Sequence, residues 1–212
     1  MNKVIIAISA IAILCSCAGR ERGVQDNMFY SSSIPKLNIK INPDFKYAES
    51  QSSSDRGTNP MAGDKMANVD VERYSFYNGD TNRSVEIIIQ EITTNRWFWM
   101  PDHFRNTKNK IESGDTIVNG KNYKYCIAVQ EISLGSCILS KMLGRNVTAN
   151  SNCRILIMYN QNIRDYSICD GWMDSQLTES EKAYLNNFLA DSENDFDILA
   201  YQAPSTVTTK PE

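Results

Sequence analysis

A hydrolytic centre is the first chemistry that the side chains of this sequence suggest, because a histidine stands beside an acid. Asp102 and His103 lie in the stretch WMPDHFR, and His103 is the only histidine among the 212 residues. A carboxylate that orients an imidazole can create a general base, but residues one position apart do not face each other on a helix. We therefore predict an exposed histidine at the start of a helix and assign no catalytic residue.

Acids at alternate positions in DSENDFD, residues 191–197, have the spacing of a calcium-binding loop. The segment departs from the EF-hand pattern, because Phe196 replaces the turn glycine and Gln202 replaces the bidentate glutamate. The motifs GxSxG and HExxH and a phosphate-binding glycine loop are absent from the sequence. We predict a solvated helix end at 191–197, with no metal and no cofactor.

The densest aromatic stretch is NRWFWM, residues 95–100. On an extended chain Trp97 and Trp99 share one face and Phe98 lies on the other. An exposed tryptophan pair would suit a partner protein, a sugar or the membrane interface. The alternative is that both are core residues that close a sheet onto a helix. Trp97 and Trp99 are therefore the candidate partner-binding residues.

Alternating apolar and polar residues, and residues typical of tight turns, predict the strands that would position these side chains. KLNIKI, residues 36–41, alternates as a half-buried strand does, and CRILIMY, residues 153–159, is a continuous apolar run typical of a central strand. Two hairpins are predicted over 71–92 and 116–129, around Asn-Gly-Asp and Asn-Gly turns. The predicted sheet is antiparallel, with about five to seven strands.

Two helices are expected to pack on this sheet, which makes the fold class α+β. Residues 101–114 carry a proline at the start, lysines near the end and a final glycine, and residues 177–190 begin with a capping box at Thr178 and Glu181. A single globular domain over 34–201 follows, with a mobile loop at 48–68. Polar composition predicts a tether at 17–33 and a disordered tail at 202–212.

The amino-terminal segment has the layout of a secretory signal peptide. Lys3 is its only charge, the apolar run from Val4 to Leu14 is broken only by Ser9, and small residues follow. The run is too short to span a bilayer, which takes about 20 apolar residues. Residues 1–16 are therefore predicted to be a signal peptide.

The end of that segment, Leu14-Cys15-Ser16-Cys17, resembles the lipobox of bacterial lipoproteins. The resemblance implies that Cys17 carries a diacylglycerol and that Cys15 leaves with the signal. Two or three acyl chains anchor a protein stably, so the membrane becomes a partner through these chains. Ala18, where aspartate would retain the protein at the inner membrane, implies an outer-membrane anchor facing the periplasm in a Gram-negative host.

Four further cysteines, Cys126, Cys137, Cys153 and Cys169, follow the signal. An even number in an exported chain suggests disulfides. The spacing favours Cys126–Cys137 and Cys153–Cys169, since each pair would face across a hairpin. Small buried apolar side chains are the alternative for all four.

The order of elements resembles the PsbP-like fold. The stretches NPDFKY, residues 42–47, and VNGKNYKY, residues 118–125, carry the resemblance. Members of that fold are mostly non-catalytic binding or assembly factors, and some are lipoproteins, so the resemblance implies a similar role here.

Composition is that of a folded protein, with 42% apolar and 22% charged residues. The net charge of −3 argues against nucleic acid as a partner. We predict a lipid-anchored cell-envelope protein that is a non-catalytic binding or assembly module, with an envelope protein or glycan as its partner. The alternative is an envelope hydrolase that works through paired carboxylates, which need no histidine.

Overall fold

The described part of the chain consists mostly of eleven strands in two antiparallel sheets. The structure, a computed structural model, describes residues 21–58, 66–94, 97–133, 136–164, 169, 172 and 177–203. The elements in chain order are β1 Arg22–Gln25, β2 Met28–Ser31, β3 Leu37–Ile41, β4 Lys46–Thr58, β5 Met66–Asn78, β6 Arg83–Ile92, β7 Lys110–Val118, β8 Lys121–Ser133, β9 Ser136–Asn146, β10 Cys153–Ile163, α1 Glu179–Asp195 and β11 Phe196–Ala200.

The larger sheet has seven strands in the order β4-β5-β6-β10-β9-β8-β7. β10 lies at its centre, as its apolar run predicts, and both predicted hairpins are confirmed by the β5–β6 and β7–β8 pairs. The β7–β8 turn uses Asn119 and Gly120, whose φ angles of 47° and 68° are those of a tight hairpin turn. Local turn chemistry thus sets the register of this edge of the sheet.

The smaller sheet has four strands in the order β1-β2-β3-β11 and packs against one face of the larger sheet. We call that face the inner face and the opposite one the outer face. Alternating residues of β6 and β10 fill the core between the sheets, among them Ile87, Ile155 and Ile157, each with no exposed surface. Phe29 and Ile39 meet them from the smaller sheet.

Helix α1 connects β10 to β11 and closes the inner face. Its start is the predicted capping box, in which the Glu181 carboxylate accepts a hydrogen bond of 2.6 Å from the Thr178 amide. Leu185 and Phe188 form its buried stripe, and the Phe188 ring lies 5.1 Å from that of Tyr159. Within the described part of the chain, no helix is both long and apolar enough to span a bilayer.

The predicted α+β class, with one sheet of about five to seven strands and two helices, is wrong. The described residues form a mostly β protein with sheets of four and seven strands and one helix. Residues 101–114, predicted as the second helix, contain turns and then the start of β7. Gly114 is not a helix terminator: a Cβ there would lie 3.0 Å from the Tyr125 ring on β8. Glycine at this position leaves room for the Tyr125 ring on the neighbouring strand. A pattern of helix-end residues cannot reveal such a contact.

Strands also occupy much of the segments predicted as a loop and a tether. β4 and β5 pair from Lys46↔Tyr77 to Thr58↔Met66, within and around 48–68, and residues 59–65 lie outside the described residues. The side chains of 46–54 are exposed, so this edge strand lacks the apolar alternation by which strands are recognised. β1 and β2 lie within 17–33 and pair around Asp26 and Asn27, whose positive φ angles suit a hairpin turn.

Candidate functional site

The tryptophans proposed for partner binding pack onto the outer face. Trp97 contacts the cluster of Ala67, Val69 and Ile92, and the guanidinium carbon of Arg154 lies 3.5 Å from the centre of a Trp99 ring. The Trp99 amide also donates to the Ser151 carbonyl at 2.7 Å. Both tryptophans are half-buried, so most of their aromatic surface serves packing and cation–π contact.

His103 lies on the same face, in a segment that crosses the sheet. This crossing segment, residues 97–109, places His103 over Gly144 on β9 and Phe104 among outer-face apolar side chains. Burial, together with the charge of Arg154, lowers the pKa of His103 to about 4. Asp102 instead accepts a hydrogen bond of 3.3 Å from the Phe104 amide. The pair is thus arranged to hold the segment in place rather than to act on a substrate.

The cysteine pairing differs from both predicted pairs. Cys137 at the start of β9 forms a disulfide with Cys169, with Cα atoms 5.7 Å apart. The predicted pairs are wrong because the register opposes Cys126 to Met142 and Cys153 to Glu91. Cys126 therefore lies buried on the outer face, where burial raises the pKa of its thiol.

The acidic stretch 191–197 is the end of α1 and the beginning of β11. Asp191 forms an ion pair with Arg83 on β6. The buried Asp195 carboxylate accepts a hydrogen bond of 2.7 Å from the Tyr159 hydroxyl and lies 3.4 Å from Arg83. The described residues contain no cluster of side chains suited to a metal ion. These two acids therefore hold the helix end to the sheet.

A groove on the inner face has a volume of about 550 Å³. It lies between the β7–β9 end of the larger sheet and the wall made by α1 and β11, and we call it the β7–β11 groove. Its lining residues are Glu112, Asp115, Thr116, Val118, Tyr125, Ile127, Lys141, Leu143, Leu189, Ser192, Glu193, Phe196, Asp197 and Ile198. The volume falls within the range of about 300–1,000 Å³ that is typical of ligand sites.

A smaller cavity of about 170 Å³ borders the smaller sheet, where Met28, Tyr30 and Asn38 line it. Its volume is below the usual range of ligand sites, about 300 Å³ and above. The Asn38 side chain there also donates a hydrogen bond of 2.9 Å to the Gln202 carbonyl. This cavity is therefore a packing feature next to the chain that follows β11.

Among the described residues that line the β7–β11 groove, Lys141 is the one cation. Its ammonium donates a hydrogen bond of 2.8 Å to the Ser192 hydroxyl, which in turn donates to the Leu189 carbonyl at 2.6 Å. Burial lowers the pKa of Lys141, and the nearby Glu193 acts in the opposite direction. The lysine thus links the sheet to α1 at the base of the groove.

Four acidic residues are among the described lining of the same groove, two on β7 and two on the opposite wall. Glu112 accepts a hydrogen bond from the Tyr125 hydroxyl, which raises the pKa of that tyrosine, and Asp115 lies 2.6 Å from the Lys124 ammonium. Glu193 and Asp197 are exposed on the α1–β11 wall. The hydrolytic alternative needs two carboxylates that flank one bond, and two of the four already bind side chains of the protein.

Two sheet edges border the groove. β7 ends the larger sheet and β11 ends the smaller one, so each pairs with a single described strand. The Asn119 side chain, from the β7–β8 turn, donates a hydrogen bond to the Ile198 carbonyl of β11. This contact closes one end of the groove by joining the two sheets.

Sequence reasoning missed this groove, because its lining comes from four strands and a helix spread over residues 112–198. No motif marks it, and β11 was not predicted as a strand. In the comparisons with known proteins, no family, no curated protein and no solved structure matches the chain. The lipobox and PsbP-like resemblances are therefore untested by these comparisons and stay predictions.

Proposed function

We infer that this is a lipid-anchored protein of the bacterial cell envelope, whose folded domain binds a partner without a catalytic centre of its own. The observation that carries the proposal is the stretch Leu14-Cys15-Ser16-Cys17 after an apolar run that is too short to span a bilayer. Acylated Cys17 provides the anchor. The β7–β11 groove provides the binding site.

The disulfide supports a location outside the cytosol. Cys137 and Cys169 are bonded, and disulfides persist in the periplasm and other oxidising compartments but are rare among cytosolic proteins. The anchor and the disulfide are separate features of the chain that favour the same location. Their agreement is stronger support than either feature alone.

The lining of the groove supports binding over catalysis. Glu112 and Asp115 bind Tyr125 and Lys124, and His103 lies on the opposite face of the sheet. The remaining lining is an apolar floor with exposed acids at its margin. Such a combination suits recognition of a partner, because apolar contact gives affinity and charge gives orientation.

Metabolic labelling with radioactive palmitate tests the anchor in bacteria that express the full chain. We expect the wild type and the Cys15→Ala variant to incorporate label and Cys17→Ala to lose it, because in this proposal Cys17 alone carries the acyl chains. Immunoblots of the same samples control for expression. Label that persists in Cys17→Ala, or disappears in Cys15→Ala alone, would contradict the assignment.

A further inference from the structure

We propose that the β7–β11 groove binds an extended polypeptide segment with alternating basic and apolar side chains, which adds as a strand to the outer edge of β11. This proposal names the partner class and rests on the proposed binding function. It follows from the apolar lining, the charge of the groove and the position of β11 at a sheet edge.

The apolar part of the groove has two sides. Ile127 and Leu143 form the floor on β8 and β9, while Leu189, Phe196 and Ile198 face them from α1 and β11. An inserted chain would bury its apolar side chains against both surfaces. An extended segment presents such side chains on every second residue, so one face of it fits this lining.

The charge of the groove selects basic side chains. Three of the four acids in the described lining stand against the ammonium of Lys141, namely Glu112, Glu193 and Asp197. The Asp115 carboxylate instead pairs with Lys124 on the outer face. Glu193 and Asp197 are exposed on the α1–β11 wall. Lysine or arginine side chains on the outward face of the bound segment would lie beside these acids and could form ion pairs with them. A neutral glycan would form no ion pair there.

The β11 edge supplies main-chain hydrogen bonds. On the β3 side the Asp195 carbonyl accepts from the Asn42 amide, and on the other side the Ile198 carbonyl accepts from Asn119. Backbone groups of successive strand residues alternate in direction. Phe196, Ile198 and Ala200 therefore direct their backbone groups away from β3, toward the groove. The Ile198 carbonyl is occupied by Asn119, so the backbone groups left for a peptide are those of Phe196 and Ala200 and the Ile198 amide.

Fluorescence anisotropy with a synthetic peptide tests this proposal. The full chain, purified in a non-ionic detergent, is titrated into a fluorescein-labelled peptide of alternating lysine and valine, about eight residues long, which spans the five residues of β11. We expect saturable binding. We also expect a block peptide of the same composition, and an alternating glutamate–valine peptide, to bind at least about tenfold more weakly.

Two protein variants separate the groove from general attraction to an acidic protein. Glu193→Gln with Asp197→Asn should weaken binding about fivefold to tenfold, because two carboxylates of the wall are lost. Glu21→Gln with Asp80→Asn removes two exposed acids at the β1 end and the β5–β6 turn and should leave binding unchanged. Equal weakening by both variants would overturn the proposal.

A peptide variant tests strand addition itself. N-methylation of every second residue, on the peptide edge that would face β11, keeps the charge and removes hydrogen-bond donors, so binding should fall by about tenfold or more. Unchanged binding would overturn the pairing with β11. So would binding of a labelled tetramer of N-acetylglucosamine in place of the peptide, which would indicate a glycan site.

The peptide assay and the palmitate assay test separate claims, so one claim can be overturned while the other stands. Peptide binding without label on Cys17 would overturn the anchor and keep the groove assignment. Label on Cys17 without peptide binding would keep the anchor and overturn the groove assignment.

Discussion

His103 shows how a residue that suggests catalysis can serve packing instead. Its ring lies over Gly144 and against Phe104, and its Nδ1 atom is buried without a hydrogen-bond partner among the described residues. Burial lowers its pKa most, Arg154 and Lys124 lower it further, and Asp102 acts to raise it. The neutral imidazole is therefore the form that the folded protein accepts.

The pKa of His103 predicts a loss of stability in mild acid. The unfolded chain binds a proton below pH 6.5, and the folded chain does so only near pH 4. The free energy of unfolding therefore falls as the pH drops from 6.5 to 4, and this contribution is constant above and below that window. Allowing for partial exposure, we expect a change of about 1–2 kcal/mol.

Urea titrations of the wild type and His103→Gln at pH 7 and pH 4 measure this contribution. Other groups titrate in both proteins, so the difference between the two proteins isolates His103. The variant should lose about 1–2 kcal/mol less stability than the wild type between these pH values. Parallel losses in both proteins would contradict the lowered pKa.

Residue-scale signals were read correctly from the sequence where they act locally. The capping box of Thr178 and Glu181 and the turn at Asn119 and Gly120 are both present as predicted. The disulfide was misread, since Cys137 and Cys169 are 32 residues apart and meet only through the tertiary fold. Hairpin spacing cannot reveal such a contact.

The crossing segment is an element without regular secondary structure, and it depends on one glycine of β9. A Cβ at Gly144 would lie 2.9 Å from His103 Cδ2 and from Leu156 Cδ2, and 3.1 Å from Phe104 Cζ. Side chains of the segment and of the sheet converge on this position. The segment can therefore lie close to the sheet only because β9 has no side chain there.

Gly144→Ala should destabilise the protein by about 1–3 kcal/mol, because the two rings and Leu156 must move apart. The midpoint and slope of urea unfolding measure the loss. Gly79→Ala is the matched control: the nearest atom to its Cβ is 3.5 Å away, and we expect a change within about 0.5 kcal/mol. Similar losses for both variants would contradict close packing at Gly144.

Two elements were predicted wrongly, one because its signals were mixed and one because it carries no strand signal. Residues 101–114 carry helix-end residues, yet residues 110–114 belong to β7, and pairing with β8 decides the outcome. β4 failed for the opposite reason, because its side chains are polar and exposed. Pairing with β5, rather than burial, makes it a strand.

At the scale of the whole molecule, the disulfide joins β9 to the chain between β10 and α1. A loop of this size should stabilise the fold by about 3–4 kcal/mol in the chain-entropy model. The double variant Cys137→Ala with Cys169→Ala should lose that amount in urea unfolding. Reductant should destabilise the wild type and leave the variant unchanged.

Cys126→Ala controls for the loss of a buried sulfur and should keep its response to reductant. Peptide mapping under non-reducing conditions should recover Cys137 linked to Cys169. A Cys126–Cys137 link, or equal sensitivity of all three proteins to reductant, would contradict the pairing.

The β7–β11 groove could not be predicted at any smaller scale. Its acids on β7 and those at 193 and 197 are about 80 residues apart in the sequence, and they share a groove only because the two sheets pack together. The strands of its floor were predictable from alternation. The wall was not, since β11 is short and was read as part of a solvated helix end.

With the proposed anchor at Cys17, the early start of β1 would limit how far the folded domain reaches from the membrane. Arg22 already belongs to the smaller sheet, and four residues separate it from Cys17. The chain between Arg22 and the proposed acyl chains is therefore at most about 18 Å long. A domain on so short a linker would stay next to the bilayer surface. It would meet its ligands there, as they emerge from or arrive at the membrane surface.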